Sequence, residues 1–377
     1  MPNRLLSTLG TIVLPLVALA ALAATWHRSI PVAVTALLGA LLIGSVLAAV
    51  HHADVVAHRV GEPLGSIVLA VAVTVIEVSL IVTLMTTSDG GNASLARDTV
   101  FAAVIITCNG IAGLAILVGS IKHGTLRFNT EGAGAALIVV VTLTTLTLIV
   151  PDFTVSEPGP EFTPEQLGFV AVAAVLLYAA FVHTQTSRHR SFFLPVSEPP
   201  ARGDGRGPGL PASDGASDDR SGQRPSTGAT VLSLVMLLAC LLAVVGIAEG
   251  LSPMIETTVV ALGIPASFVG VVIAVIILLP EGIAATKAAL RNEVQISLNL
   301  AYGSAMASIG LTIPTIAVAK IWLPGRLLLG LDPIQIALFA LTVIVAAVSV
   351  IPGRATRLHG FVQLVILAAF LFLAIQP

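Results

Sequence analysis

Two carboxylates stand where carboxylates are costly. Glu77 is the only charged residue between Leu64 and Thr87, an otherwise apolar run long enough to cross a bilayer. Glu281 has a similar setting in Leu278-Leu279-Pro280-Glu281-Gly282, late in the chain. A carboxylate near the centre of a membrane helix costs about 2.5–3.5 kcal/mol on insertion scales. It persists there only if it faces protein or water, so each glutamate is read as functional and the two together as the ion site of a transporter. Two glutamates sharing one cavity cannot cheaply both be ionised and unaccompanied. They are neutralised either by protons or by a cation. Competition between those loads, on a scaffold open to alternate sides, is cation/proton antiport. Two protons for one Ca2+ would be electroneutral.

The neighbouring residues supply neutral oxygens. Ser66, Ala70, Thr74 and Glu77 share one helical face, and Ser79 lies close in sequence. Gly270, Ala274, Glu281, Ala284 and Ala288 repeat the pattern, with small residues that permit close helix approach. Pro280 removes an N–H and disturbs the carbonyl of Ile276 four residues back, a candidate ligand for a cation. One following span carries Thr107, Asn109, Gly110 and Gly113; another carries Asn299, Gly303, Ser304, Ala307 and Ser308 and closes on Pro314. Asn109, Ser304 and Ser308 are read either as ligands or as hydrogen-bonding links between helices. Thr74, Ser79 and Asn299 read more as packing residues. Carboxylate, amide, hydroxyl and carbonyl oxygens suit a hard cation such as Ca2+. The absence of a thiolate or imidazole cluster at this depth argues against soft metals. Glu62, in Gly61-Glu62-Pro63-Leu64-Gly65, either lines the ion path or caps its helix.

Composition says what must position these groups. Of 377 residues, 56% are hydrophobic and 10% charged, against about 25% charged in soluble domains. An all-α polytopic membrane protein follows. The two cysteines, Cys108 and Cys240, lie in apolar spans and imply neither a disulfide framework nor a zinc site. Eleven spans are expected, near 5–25, 30–50, 64–87, 98–121, 133–150, 166–184, 229–248, 264–288, 294–319, 332–350 and 357–375. Residues 1–29 form an N-terminal helix that is not read as a cleaved leader. Residues 30–184 and 229–377 form two five-helix repeats. The Pro-, Gly-, Ser-, Asp- and Arg-rich stretch 185–228 is expected to be a disordered cytoplasmic linker. With the N-terminus in the cytoplasm, fourteen of the 18 Lys and Arg fall on cytoplasmic segments; Arg28, Arg97, Lys320 and Arg326 fall outside. The glutamates then occupy the second helix of each repeat, in opposite orientation, the plan of an inverted-repeat transporter. Identity between the halves is weak. Aligning Val100 with Val294 places Asn109-Gly110 on Gly303-Ser304.

Several motifs together resemble a known family. They are Gly61-Glu62-Pro63-x-Gly65, Val75-Ile76-Glu77-Val78-Ser79-Leu80, Pro280-Glu281-Gly282, and Asn299-Leu300-x-x-Gly303-Ser304-x-x-Ala307-Ser308-Ile309-x-Leu311-Thr312-x-Pro314. Over about residues 30–377 the chain is similar to the ChaA-type calcium/proton antiporters. These belong to the cation/proton exchanger (CAX) family of the calcium/cation antiporter superfamily. The resemblance implies exchange of Ca2+, and often Na+ or K+, for protons, with Glu77 and Glu281 carrying both. It also favours a bacterial inner membrane. The ions are cargo, no cofactor is implied, and the other partner is the lipid bilayer rather than nucleic acid. The chain departs from such relatives in its central loop, where the acids Asp204, Asp214, Asp218 and Asp219 are sparse and interleaved with arginines.

Two other readings stand beside this one. A monovalent Na+/K+ antiporter would use the same oxygens. A metal-dependent membrane enzyme would use His51, Asp54 and His58, which a helix places on one face at i, i+3 and i+7. The simpler reading of that triad is a solvated loop, since no His-Glu-x-x-His accompanies it.

Overall fold

The computed structural model describes residues 2–26, 32–60, 64–87, 93–195, 226–265, 267–322 and 325–376. Eleven helices run through them. We number them α1 Pro2–Thr25, α2 Val32–Val60, α3 Leu64–Thr87, α4 Leu95–His123, α5 Thr130–Phe153, α6 Pro164–Ser187, α7 Thr227–Ala261, α8 Phe268–Leu290, α9 Val294–Ala319, α10 Pro333–Val350 and α11 Arg357–Ile375. Among the described residues nine are long and apolar enough to cross a membrane. In α1 and α3 the described apolar stretches are shorter, Gly10–Thr25 and Val71–Thr83.

Polar residues mark several ends. The Asn129 side chain accepts from the N–H groups of Glu131 and Gly132 and starts α5. Capping boxes start α6 (Thr163 with Gln166), α10 (Asp332 with Gln335) and α11 (Thr356 with His359).

Two expected boundaries move. α2 continues ten residues past the expected end and α7 continues to Ala261. Falling hydropathy marks the edge of the bilayer, but a helix need not stop there. From Val50 to Val60 no Gly or Pro intervenes, so the backbone bonds simply continue. The stretch holding His51, Asp54 and His58 is therefore helix and not loop. The start of the expected linker is also ordered. A π turn, Thr184–Arg188, ends α6, and a 3-10 turn, Arg190–Phe193, follows it. Buried Phe193 packs edge-to-face on Phe181, with ring centroids 5.6 Å apart. Residues 196–225 lie outside the described residues.

Side-chain and strand contacts sort the loops onto two faces. On one, β1 (Leu126–Arg127) pairs antiparallel with β2 (Arg354–Ala355), Lys122 Nζ donates to the Leu290 carbonyl at 2.8 Å, and Arg59 donates to Thr227. On the other, Arg326 pairs with Glu161, and Arg97 joins Asp98 at 2.8 Å and the Gly330 carbonyl at 2.9 Å. The Asp152 carboxylate accepts from Leu331 N at 2.9 Å on that same face. This alternation is what consecutive membrane crossings require.

Two apolar cores result. The larger joins α4, α5, α6, α9, α10 and α11; the smaller joins α1, α2 and α7. The two glutamate helices lie at the seam. On α8, Val271, Ala274 and Leu278 enter the larger core, while Val269, Ile273 and Ile277 enter the smaller. On α3, Ile81 faces the first, and Ala72, Ile76 and Leu80 the second. α4 runs through the middle of the protein, and every residue from Leu95 to Gly113 is buried. Close crossings use glycine. A Cβ on Gly310 of α9 would lie 2.9 Å from Tyr178 Cβ on α6, and one on Gly270 of α8 would lie 2.8 Å from Thr99 N on α4.

Candidate functional site

A cavity of about 180 Å³ opens at the seam, and both glutamates line it. Four helices present stripes at helical spacing. α3 gives Thr74 and Glu77; α8 gives Ala274, Ile277, Leu278 and Glu281; α9 gives Asn299, Gly303, Ser304, Ala307 and Ser308; α6 gives Tyr178, Phe181, Val182 and Gln185. Gln185 and Asn299 lie toward the face that carries the β ribbon. From Asn299 to Ser308 the wall descends nine residues, about 14 Å at 1.5 Å per residue.

The floor is specific. The Ser308 hydroxyl donates to Glu77 Oε1 at 2.6 Å, and Glu77 is buried. Ser308 opens a π turn, Ser308–Thr312, which puts one extra residue into the α9 ladder. Such turns reset which side chains face inward and recur at functional sites. Thr312, at the end of the turn, is buried, and its hydroxyl has no hydrogen-bond partner among the described residues. Across the cavity Glu281 Oε2 is buried with no hydrogen-bond partner among the described residues. A buried acceptor without a donor is costly. Here it leaves an oxygen available to a proton or a cation. Both carboxyl groups line the same cavity.

Of the residues singled out from sequence, Glu77, Glu281, Thr74, Asn299, Ser304 and Ser308 come together on this cavity. Asn109, Ser79 and Ile276 do not line it. Asn109 Nδ2 donates to Thr342 Oγ1 at 2.9 Å and links α4 to α10 in the core. Ile276 packs toward the smaller core. Glu62 lies outside the described residues. Asn299 has structural work as well: its Nδ2 donates to the Phe193 carbonyl at 2.7 Å, and its Oδ1 accepts from Gln295 at 2.9 Å. This pins the segment after α6 to the cavity rim. The α6 wall was not singled out from sequence. Its signal was available, since Tyr178, Phe181, Val182 and Gln185 fall at i, i+3, i+4 and i+7.

His51 and Asp54 are exposed on α2, while neighbouring His52 is buried and bonds Ser233 at 3.3 Å and the Thr11 carbonyl at 3.1 Å. The His58 side chain lies outside the described residues. Among the described residues no group of three His, Cys, Asp or Glu is placed to hold a metal.

These placements separate two kinds of polar residue, and two variants test the separation. Ser308→Ala removes the donor from Glu77 Oε1. A hydrogen bond to a charged group contributes about 1.5–3 kcal/mol, so the cation KM is expected to rise about ten- to a hundred-fold in a transport assay with folding unchanged. Asn109→Ala leaves Thr342 without its donor. It is expected to lower thermal stability by about 1–3 kcal/mol and leave the KM as in the parent protein.

Comparison with known proteins decides the family. The model of the sodium/calcium exchanger proteins matches residues 30–187 and 232–376. The chain belongs to that family. The two matched segments of this exchanger-family chain are separated by residues 188–231. Among its relatives, the y4hA protein of Sinorhizobium fredii is 40% identical over 340 residues, 89% of this chain and 87% of that one. The sodium-potassium/proton antiporter ChaA of Escherichia coli is 31% identical over 346 residues, 91% of this chain and 90% of that one. Of solved structures, native YfkE superposes with a TM-score of 0.69 at 15% identity, covering 98% of this chain and 99% of that one. The H+/Ca2+ exchanger CAX superposes at 0.62 and 17% identity, covering 99% and 93%. At those identities the likeness establishes the exchanger fold. The eleven-helix integral membrane architecture is therefore that of polytopic exchangers, consistent with two inverted repeats.

Proposed function

We propose that this exchanger moves a cytoplasmic cation outward in exchange for protons, with Glu77 and Glu281 as the shared carriers. The observation that carries the reading is the meeting of both glutamates on one buried cavity, one held by Ser308 and the other with a buried oxygen lacking a donor. In the loaded state a cation would draw on both carboxylates and on the hydroxyls of Ser308 and Ser304, an oxygen set suited to a hard ion. In the return state protons neutralise the carboxylates. Either load lets the cavity close without an uncompensated charge, which is the physical basis of obligatory exchange.

Access follows from the same geometry. The cavity leads to the face of the β ribbon, which we assign to the cytoplasm because the Lys- and Arg-rich segments lie there. The N-terminus is then cytoplasmic. On the far face Arg97, Asp98, Asp332, Arg326 and Glu161 tie the helix ends together, and these contacts must rearrange for release. We divide the chain into helix 1–29, repeats 30–184 and 229–377, and a linker between. The π turn in α4, Ile106–Ile111, and the one in α9, Ser308–Thr312, support the repeat. They begin at Ile106 and Ser308, 29 residues after Glu77 and 27 after Glu281. The alignment of Asn109 with Gly303 is thus shifted by about two turns of helix.

On selectivity we favour Ca2+, because a divalent ion balances two carboxylates by itself. The name of the Escherichia coli relative points instead to Na+ and K+. The exchangers sharing the fold include an H+/Ca2+ exchanger. Everted membrane vesicles with an acid interior separate the two. Addition of Ca2+ is expected to collapse the pH gradient, read with a pH-sensitive dye. Collapse by Na+ or K+ alone would retain the site and change the cargo. No response to any cation would overturn the reading. We place the protein in a bacterial inner membrane.

A further inference from the structure

A second cavity, about 440 Å³ and almost wholly apolar, runs along the outside of the glutamate helix between α4 and α8. Ile106, Ile111 and Leu114 form one wall; Val275, Leu279 and Ile283 form the other. Leu114, Val275, Leu279 and Ile283 are all exposed, so the groove is open to the surroundings of the helices and not to the core. One end is different: Thr286 and Lys287 close it. Lys287 stands one turn before the end of α8, and the described residues offer it no carboxylate partner. Of the neighbouring cations, Lys122 Nζ is held by the Leu290 carbonyl and Arg291 is paired with Glu293.

Length and charge together define an occupant. Val275 to Lys287 is twelve residues, about 18 Å of helix. One leaflet of a bilayer core is about 15 Å thick. A single acyl chain therefore fills the groove from mid-membrane to its surface and brings its headgroup to Lys287. We propose that this groove binds an anionic phospholipid, the acyl chain between α4 and α8 and the phosphate on Lys287. The site lies close to the chemistry. Leu278 lines both this groove and the cation cavity, and Gly282, next to Glu281, forms part of the groove wall. The inference rests on the membrane-spanning fold and is independent of the transport cycle.

The full-length protein provides its own test. It has two tryptophans, Trp26 and Trp322. Both are replaced by Phe, and Leu114→Trp puts a single reporter in the groove; Ile283→Trp is a second reporter on the other wall. Val172→Trp, exposed on α6, serves as a control outside the groove. Each protein is reconstituted in phosphatidylcholine vesicles containing increasing brominated phosphatidylglycerol or brominated phosphatidylcholine, and fluorescence quenching is followed. One lysine near the membrane surface contributes about 1 kcal/mol toward an anionic lipid, about five-fold in affinity. The groove reporters are expected to reach half-quenching at about five-fold less brominated phosphatidylglycerol than phosphatidylcholine. Lys287→Gln should abolish that preference, and the Val172 reporter should show none. Equal quenching by the two lipids would overturn the proposal. So would a preference that survives Lys287→Gln or that appears equally at Val172.

Discussion

Glu77→Gln and Glu281→Gln are each expected to lower exchange by about two orders of magnitude or more while leaving a folded protein. Glutamine keeps the volume of the side chain, and at position 77 its carbonyl oxygen still accepts from Ser308. What it loses is the charge. It cannot balance a cation, and it cannot take up and release a proton. A hundred-fold loss corresponds to about 2.7 kcal/mol of barrier, less than the electrostatic consequence of a cation left with half its counter-charge in a buried site. Stability should move the other way or stay level, because removing a buried carboxylate removes a desolvation cost. Transport in vesicles and thermal melting of the purified variants check the two halves separately. Wild-type transport by either variant would contradict the paired-carboxylate reading.

The second large effect comes from one substitution made at two glycines. Gly360→Leu is expected to prevent assembly of the membrane domain, whereas Gly303→Leu should fold and fail to transport. A Cβ at Gly360 on α11 would lie 2.5 Å from Leu117 N and 2.6 Å from the Gly113 carbonyl on α4. Those are backbone atoms of the most buried helix, and they cannot rotate away. Overpacking in a tight core costs about 1–3 kcal/mol even for an added methylene, and a leucine adds several carbons. At Gly303 a Cβ meets nothing within 4 Å, because the residue faces the cation cavity. A leucine there occupies the space the ion must cross. Detergent-solubilised yield and size-exclusion profile should separate the pair. Normal yield of Gly360→Leu, or normal transport by Gly303→Leu, would show that the α4–α11 crossing or the cavity has been misplaced.

Much of this arrangement was legible in the sequence for a simple reason. A bilayer forces long apolar helices and penalises charge within them, so the eleven spans and the two glutamates announced themselves. Which neutral polar residues face the glutamates was less legible. Asn109 and Ser308 both lie on the third helix of their halves, yet Asn109 bonds Thr342 in the core and Ser308 bonds Glu77. The π turns explain the difficulty. Each inserts a residue into the helical count, so the face predicted by 3.6-residue spacing slips midway along α4 and α9. The ends of α2 and α7 were illegible for another reason, since hydropathy reports the membrane and not the hydrogen-bond ladder. The ordered turns after Gln185 depend on Phe193 meeting Phe181 and Asn299, the latter a contact between residues 106 apart in the chain.

In the proposed cycle protons and cation occupy the same two carboxylates. Calorimetric titration of the purified protein with Ca2+, repeated in buffers of different protonation enthalpy, measures this directly. Ca2+ binding is expected to release protons, so that the apparent enthalpy changes with the buffer, and the effect should disappear in Glu77→Gln/Glu281→Gln. Ca2+ binding with one enthalpy in every buffer, or a proton release that persists in the double variant, would contradict that cycle.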